Sequence, residues 1–332
     1  MRHSFAAAAL LAAATTLTAP PAAAATTCRD VHAPVTVLGS PETVHGRLCT
    51  PGRGATTVEV LVPGATYNSA YWDYPDGAHS FRAAQNAAGF ATFALDRLGT
   101  GGSSRPVAAT LTATAQAAAV HQVVQGLRSG AYGPAFTRVV IGGHSLGAAI
   151  GVLVAGAHHD VDGVLLTGIA HRVNPGGVVG AFANFVPANL DPKFGVLHPL
   201  GYLTTAAGKR YESFHAPGPL PAPLRELEEA TKDVFSPTEA VDGLAATVLP
   251  PYSLLINVPV LSVVGSEDTA VCGPLATNCS TAETLREAEA PYFTAPLRTH
   301  VVTGYGHSIN LAPDAARYYA VVAAWVAEEV ER

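Results

Sequence analysis

The sequence predicts an α/β protein built around a parallel sheet, and three observations carry that expectation. From residue 80 to residue 166, short β-branched runs alternate with helix-like segments, as successive βαβ units require. A G-x-S-x-G pentapeptide stands where one apolar run meets an Ala/Gly-rich helical segment. The composition, 332 residues of which 48% are apolar and 13% charged, is that of a folded chain long enough to bury a large core.

Residues 1–25 are set aside first. Arg2 supplies a positive start, residues 5–14 form a short apolar run, and Ala22-Ala23-Ala24 and Ala23-Ala24-Ala25 both satisfy the small-x-small cleavage rule, so the stretch reads as a secretory leader. Cys28 lacks the preceding context of a lipoprotein signal, and a soluble exported protein is expected. Runs at 34–38, 43–48 and 56–62, separated by turn-sized gaps, read as an antiparallel start. Then follow a helix at 80–88, a strand at 90–95, a helix at 109–127, a strand at 138–141, a helix at 146–157 and a strand at 161–166. Between 170 and 252 the alternation fails, and Pro217, Pro219, Pro221 and Pro223 punctuate the stretch, which reads as an insertion. Strands resume at 259–264 and 298–302, and an amphipathic helix closes the chain at 313–329.

Several classes are excluded. With 19 Lys+Arg against 25 Asp+Glu, net −6, no basic surface is available to hold a phosphate backbone, so no nucleic-acid partner is expected. Residues 139–157 are almost wholly apolar, but Gly142, Gly143, Gly147 and Gly151 suit a buried strand, a sharp turn and a buried helix better than a lipid-facing span. No integral membrane segment is expected. Of the three pairings four cysteines allow, Cys28–Cys49 and Cys272–Cys279 are the economical pair in an oxidising compartment. No C-x-x-C or H-E-x-x-H spacing occurs, and neither a metal nor another cofactor is expected.

The chemistry-bearing residues lie at strand ends. Gly143-His144-Ser145-Leu146-Gly147 follows the strand at 138–141, and a strained turn there would present Ser145 at the start of a helix. A serine nucleophile needs a base, and the base an orienting carboxylate. Asp268, in Gly265-Ser266-Glu267-Asp268, and His307, in Gly306-His307-Ser308, follow the last two strands in the order Ser, Asp, His. Glu267 is the rival acid, and His300, inside a strand run, the rival base. Leu61-Val62-Pro63-Gly64-Ala65-Thr66-Tyr67 leaves a buried strand so that the Ala65 N–H can join that of Leu146 as an oxyanion hole, with Thr66 the alternative to Ala65. The glycine-rich run from Asp96 to Ser104 fits neither phosphate-loop pattern and reads as a tight structural turn beside the site.

On Gly143-His144-Ser145-Leu146-Gly147, the Asp96…Gly99…Gly101…Ser103 loop, Gly265…Asp268 and Gly306-His307, the chain resembles the α/β-hydrolase superfamily over nearly all of its mature length. The resemblance implies an eight-stranded, mostly parallel sheet flanked by helices, with a cap inserted after strand six, so that 26–169 and 253–332 form the core and 170–252 the cap. Pro63-Gly64 stands where the family usually has His-Gly.

Serine at the elbow favours attack on an acyl carbon, whereas dehalogenases and epoxide hydrolases of this fold need aspartate there. The expected activity is that of a secreted serine carboxylester hydrolase, esterase- or lipase-like, acting on an apolar ester or lactone. Tyr67, Tyr71 and Trp72, and from the cap Phe182, Phe185, Phe194, Tyr202, Tyr211 and Phe214, are candidates to line an apolar pocket. The alternatives are a peptidase or amidase of the same fold and a non-catalytic binding protein on this scaffold.

Overall fold

The computed structural model describes residues 25–215, 220–249 and 252–332. The expected leader, 1–25, thus lies outside the described residues except for Ala25. Leu38 and Gly39, with φ of 50° and 80°, turn β1 (Thr27–Val37) back on β2 (Ser40–Thr50) as a two-residue hairpin. Buried and exposed positions alternate along β1, as an antiparallel strand with one covered face should show. Cys28 and Cys49 are register partners in this ladder with Cα atoms 4.1 Å apart, and they are bonded to each other.

β3 (Thr57–Val62) has all six residues buried and lies between β4 (Ala91–Leu95) and β5 (Arg138–His144), parallel to both. This corrects the expectation of a three-stranded antiparallel start. Only β2 runs against the rest, antiparallel to both β1 and β4; β3, buried on both faces, belongs inside the parallel part of the sheet. With β6 (Gly163–Thr167), β9 (Val260–Gly265) and β10 (Leu297–Val302), the described residues form an eight-stranded sheet ordered β1-β2-β4-β3-β5-β6-β9-β10.

Helices cover both faces. α1 (Phe81–Ala88) starts on the Ser80 hydroxyl and ends at Gly89, φ 107°. α2 (Ala113–Ser129) starts later than expected, at the Thr112 cap, because residues 108–110 form a separate 3-10 turn. α3 (Leu146–His158) is apolar on nearly every side and buried throughout its length up to Gly156. α2 and α3 supply one core, with Val120, Val123, Ile150 and Val154 packed on Val58, Val60 and Ile141. On the opposite face, α1 and α9 (Ala315–Trp325) pack Phe81, Tyr318 and Trp325 against Leu61 and Val140.

Between β6 and β9 the chain builds α4 (Pro175–Phe182), a two-stranded sheet of β7 (Phe185–Pro187) and β8 (Leu203–Thr205), then α5 (Arg210–Phe214), α6 (Ala222–Thr231) and α7 (Pro237–Val248). After β9 comes the Cys272–Cys279 bridge, Cα atoms 5.7 Å apart, and α8 (Ala282–Glu289). Both cysteine pairs are those expected from spacing. No described helix is long and apolar enough to cross a membrane.

The sheet buries one unpaired acid. Glu59, in the middle of β3, has no hydrogen-bond partner for either carboxyl oxygen, and burial pushes its pKa from 4.5 up to about 8. The folded chain therefore keeps a proton that the unfolded chain loses above about pH 4.5, so this group's contribution to stability falls as pH rises from there to about 8. Glu59→Gln, which stays neutral, is expected to lack that slope. Urea unfolding at pH 5 and pH 8 should show the wild type losing roughly 3–4 kcal/mol more than the variant. Equal losses in both proteins would show that Glu59 is ionised in the fold.

Candidate active site

The end of β5 and the start of α3 meet at one residue. Ser145 has φ 53° and ψ −119°, its N–H donates to Thr167 O at 2.8 Å, and its carbonyl accepts from Ala148 and Ala149. The flanking glycines are dictated by space. A Cβ on Gly143 would lie 2.3 Å from Gly147 O, and one on Gly147 would lie 2.2 Å from Val62 O. The turn after β3 presses on the same point, since a Cβ on Gly64 would meet His144 O at 3.0 Å and Ser145 Cβ at 3.1 Å.

That turn carries Ala65, which borders the same cavity as Ser145 and Leu146. Leu146 is the first residue of α3, so its N–H has no intrahelical acceptor and sits at the positive end of the helix. Thr66, the alternative donor, is fully buried with φ 63°.

Asp268 and His307 hang from the ends of β9 and β10, whose loops are knitted together by Ser266 N–H to Val302 O and Glu267 N–H to Tyr305 O, at 3.0 and 2.9 Å. Asp268 is fully buried; its Oδ2 lies 2.7 Å from His307 Nδ1, and its Oδ1 accepts from the Ala270 N–H at 3.0 Å. Glu267 is exposed, and His300 sits half-buried within β10, outside the cavity. The Cys272–Cys279 loop is tied to the acid through Cys272 N–H to Asp268 O at 2.8 Å.

Ser145 and His307 line one cavity of about 150 Å³. Phe182, Phe185 and Phe214 line it, as does Tyr67, whose hydroxyl end is buried. Trp72 does not. It is fully buried against Tyr71 and Phe81, because the chain after Tyr67 turns into the core in place of following the cavity wall. Tyr71, Phe194, Tyr202 and Tyr211 are likewise absent from the lining, and Tyr202 donates its hydroxyl to Pro106 O.

A family model described as the Alpha/beta hydrolase family matches residues 60–317. The chain belongs to the alpha/beta hydrolase family. No curated protein sequence matches this alpha/beta hydrolase. Among solved structures it is similar to an esterase from Exiguobacterium antarcticum, 17% identical with a TM-score of 0.64, covering 90% of this chain and 100% of the other. It is also similar to a thermophilic esterase from Thermogutta terrifontis, 18% identical, TM-score 0.60, covering 90% and 98%. An enol-lactonase from Burkholderia xenovorans LB400 is 20% identical, TM-score 0.56, covering 89% and 100%. At these identities the likeness establishes the hydrolase fold.

Sequence reasoning passed over several side chains at the site. His144 is stacked on Tyr71, 4.2 Å between centroids, and its ring lies 4.8 Å from that of His307. Burial, with the nearby His307 and His215, holds its pKa well below the usual imidazole value, so it is neutral. Arg97 and Arg210, both buried, contact the Ala65 turn. The glycine-rich loop from Asp96 is structural: Asp96 accepts from Ser69 N–H, Gly102 N–H and His45, at 2.8, 2.9 and 2.8 Å.

The contact between the two turns yields a direct expectation for this hydrolase. Gly147→Ala forces a methyl group against Val62 and Pro63 carbonyls and should lower stability by about 1–3 kcal/mol or more. Thermal melts of the variant check it, and an unchanged midpoint would mean that the turn relaxes at no cost.

Proposed function

We propose that this alpha/beta hydrolase is an exported serine carboxylester hydrolase that cleaves an apolar ester or lactone through an acyl-enzyme on Ser145. The observation that carries the reading is that Ser145 and His307 share a cavity with no Asp, Glu, Lys or Arg among the described residues of its lining, while Asp268 engages His307 Nδ1 from behind. In this reading His307 Nε2 takes the Ser145 proton as Oγ attacks the acyl carbon. The Leu146 and Ala65 N–H groups receive the developing oxyanion. Collapse transfers the proton from His307 to the departing alkoxide, and water activated by His307 then releases the acid.

The uncharged lining weighs against a peptidase, which needs a charged or polar subsite for peptide ends, and it suits an acyl chain. The esterase and lactonase neighbours point the same way at the level of reaction class. The 170–252 segment, taken as a cap, supplies Phe182, Phe185, Phe235 and Leu244 to the cavity and so governs which acyl groups fit. Two cysteine pairs are compatible with export.

Ser145→Ala is expected to lower kcat on p-nitrophenyl esters by several orders of magnitude, towards the ~10⁶ seen when such nucleophiles are removed, and to abolish labelling by a serine-directed phosphonate. Asp268→Asn should cost far more than Glu267→Gln, since only Asp268 faces His307. Near wild-type turnover in Ser145→Ala would sink the acyl-enzyme, and the reverse ranking of the acids would reassign the orienting carboxylate.

Phe182→Ala and Phe185→Ala should shift the preferred acyl chain length, changing the kcat/KM ratio of long to short esters by roughly 10-fold or more. Phosphonate labelling of Ser145 should persist in both. An unaltered ester ranking would make the segment a structural cover only.

A further inference from the structure

The turn that carries Ala65 is gripped from both sides by buried guanidinium groups. Arg97 donates from Nε to Pro63 O at 3.1 Å and from Nη2 to Gly64 O at 3.2 Å. Arg210 donates from Nη1 to Thr66 O at 3.2 Å and to Thr66 Oγ1 at 2.9 Å, with its guanidinium carbon 4.3 Å from the centroid of the Tyr67 ring. Asp233 N–H adds a bond to Thr66 O at 2.8 Å. Thr66 is β-branched yet held at φ 63°, a conformation that persists only where its surroundings impose it.

Neither arginine finds its counter-ion in the sheet. Arg97 pairs with Glu239 of α7, and Arg210 with Glu228 of α6 at 3.3 Å. Both carboxylates belong to the segment between β6 and β9. Glu228 also accepts from the Tyr67 hydroxyl at 2.5 Å and lies 2.6 Å from His215 Nε2. The Tyr67 oxygen in turn lies 2.5 Å from Ser308 Oγ, and Ser308 is the neighbour of His307. Burial pushes the Glu228 carboxyl up, but His215, Arg210 and the Tyr67 hydrogen bond pull it down to about 2, so the hub holds a permanent carboxylate.

We propose that Arg97 and Arg210, anchored by Glu239 and Glu228, are positioning residues that aim the Ala65 N–H and couple that turn to the His307 loop. The inserted segment thus sets the electrostatic side of the site as well as bounding its cavity. The inference rests on Ser145 being the nucleophile. A donor aimed at a developing oxyanion is worth about 10²–10³ in kcat, and a tilted donor loses part of that. An interaction made only in the transition state lowers kcat and leaves KM alone.

The test compares wild type, Arg210→Met, Arg210→Lys and Thr66→Val on one p-nitrophenyl ester. It also measures inhibition by a trifluoromethyl ketone of the same acyl chain, which adds to a serine as a tetrahedral oxyanion. Arg210→Met is expected to lose about 10–100-fold in kcat with KM within about twofold, and Arg210→Lys to recover part of the loss. Thr66→Val, which deletes one acceptor and keeps the shape, should lose several-fold. Trifluoromethyl ketone affinity should fall in step with kcat/KM across the series, a correlation that loss of stability alone does not produce. If Arg210→Met does not fold, Thr66→Val and Arg210→Lys decide the matter. A wild-type kcat in both, or ketone affinity that ignores kcat/KM, overturns the proposal. A wild type that neither hydrolyses esters nor is labelled at Ser145 would instead overturn the proposed function.

Discussion

Two turns occupy almost the same space in this protein. Parallel pairing sets Val62 of β3 opposite Gly143 of β5, so the chain leaving one strand must pass within contact distance of the chain leaving the other. Only hydrogen fits at Gly143 and Gly147, where a methyl group would meet backbone atoms at 2.3 and 2.2 Å, and at Gly64 a methyl group would press on His144 O at 3.0 Å. That closeness holds Ser145 at positive φ and brings Ala65 and Leu146 to the same cavity. The carbonyls of Pro63, Gly64 and Thr66 stand outside the strand and helix ladders, and among the described residues backbone N–H groups reach only two of them, Tyr67 N–H to Gly64 O at 3.2 Å and Asp233 N–H to Thr66 O at 2.8 Å. Planar guanidinium groups, with several donors in a rigid fork, reach those oxygens from Arg97 and Arg210.

Burying two guanidinium groups creates a further obligation, since an uncompensated charge in the interior is strongly unfavourable. Glu239 and Glu228 meet it from outside the sheet. Glu59 shows the contrast. It is a carboxyl of the same type, equally buried, with no cation beside it, and burial alone drives it towards the neutral form. Glu228, between Arg210 and His215, stays ionised. Glu239, with Arg97 beside it, lies between the two: burial outweighs the guanidinium and pushes its carboxyl up to about 7. The balance of burial against neighbouring cations, not side-chain identity, decides the charge.

Much of the framework was legible because its causes are local. The helix start at Ser80, the turn-sized gap after β1 and the unbroken apolar character of α3 each act within a few residues, whereas the Thr112 cap was missed behind the 3-10 turn at 108–110. Ser145, Asp268 and His307 were legible for a related reason: each follows a strand, and parallel strands place their ends on one side of the sheet. The position of β3 was misread because proximity in sequence to β1 and β2 outweighed a clearer signal, the lack of alternation in Thr57–Val62. Trp72 was misplaced because nothing local tells whether a chain leaving a turn follows the cavity or dives beneath it.

By itself the sequence determined the α/β class, the strained serine turn, the Ser, Asp, His order and the pairing of neighbouring cysteines, all consequences of short-range geometry. Tertiary structure alone decided which aromatic rings reach the cavity, and that the Ala65 turn is held by charges from distant segments. Arg210 and Thr66 are 144 positions apart, and Arg97 and Glu239 are 142. Hydrogen bonds across such separations leave no periodicity or spacing to read, because their geometry exists only once the sheet has aligned its strands and the segment between β6 and β9 has packed against them.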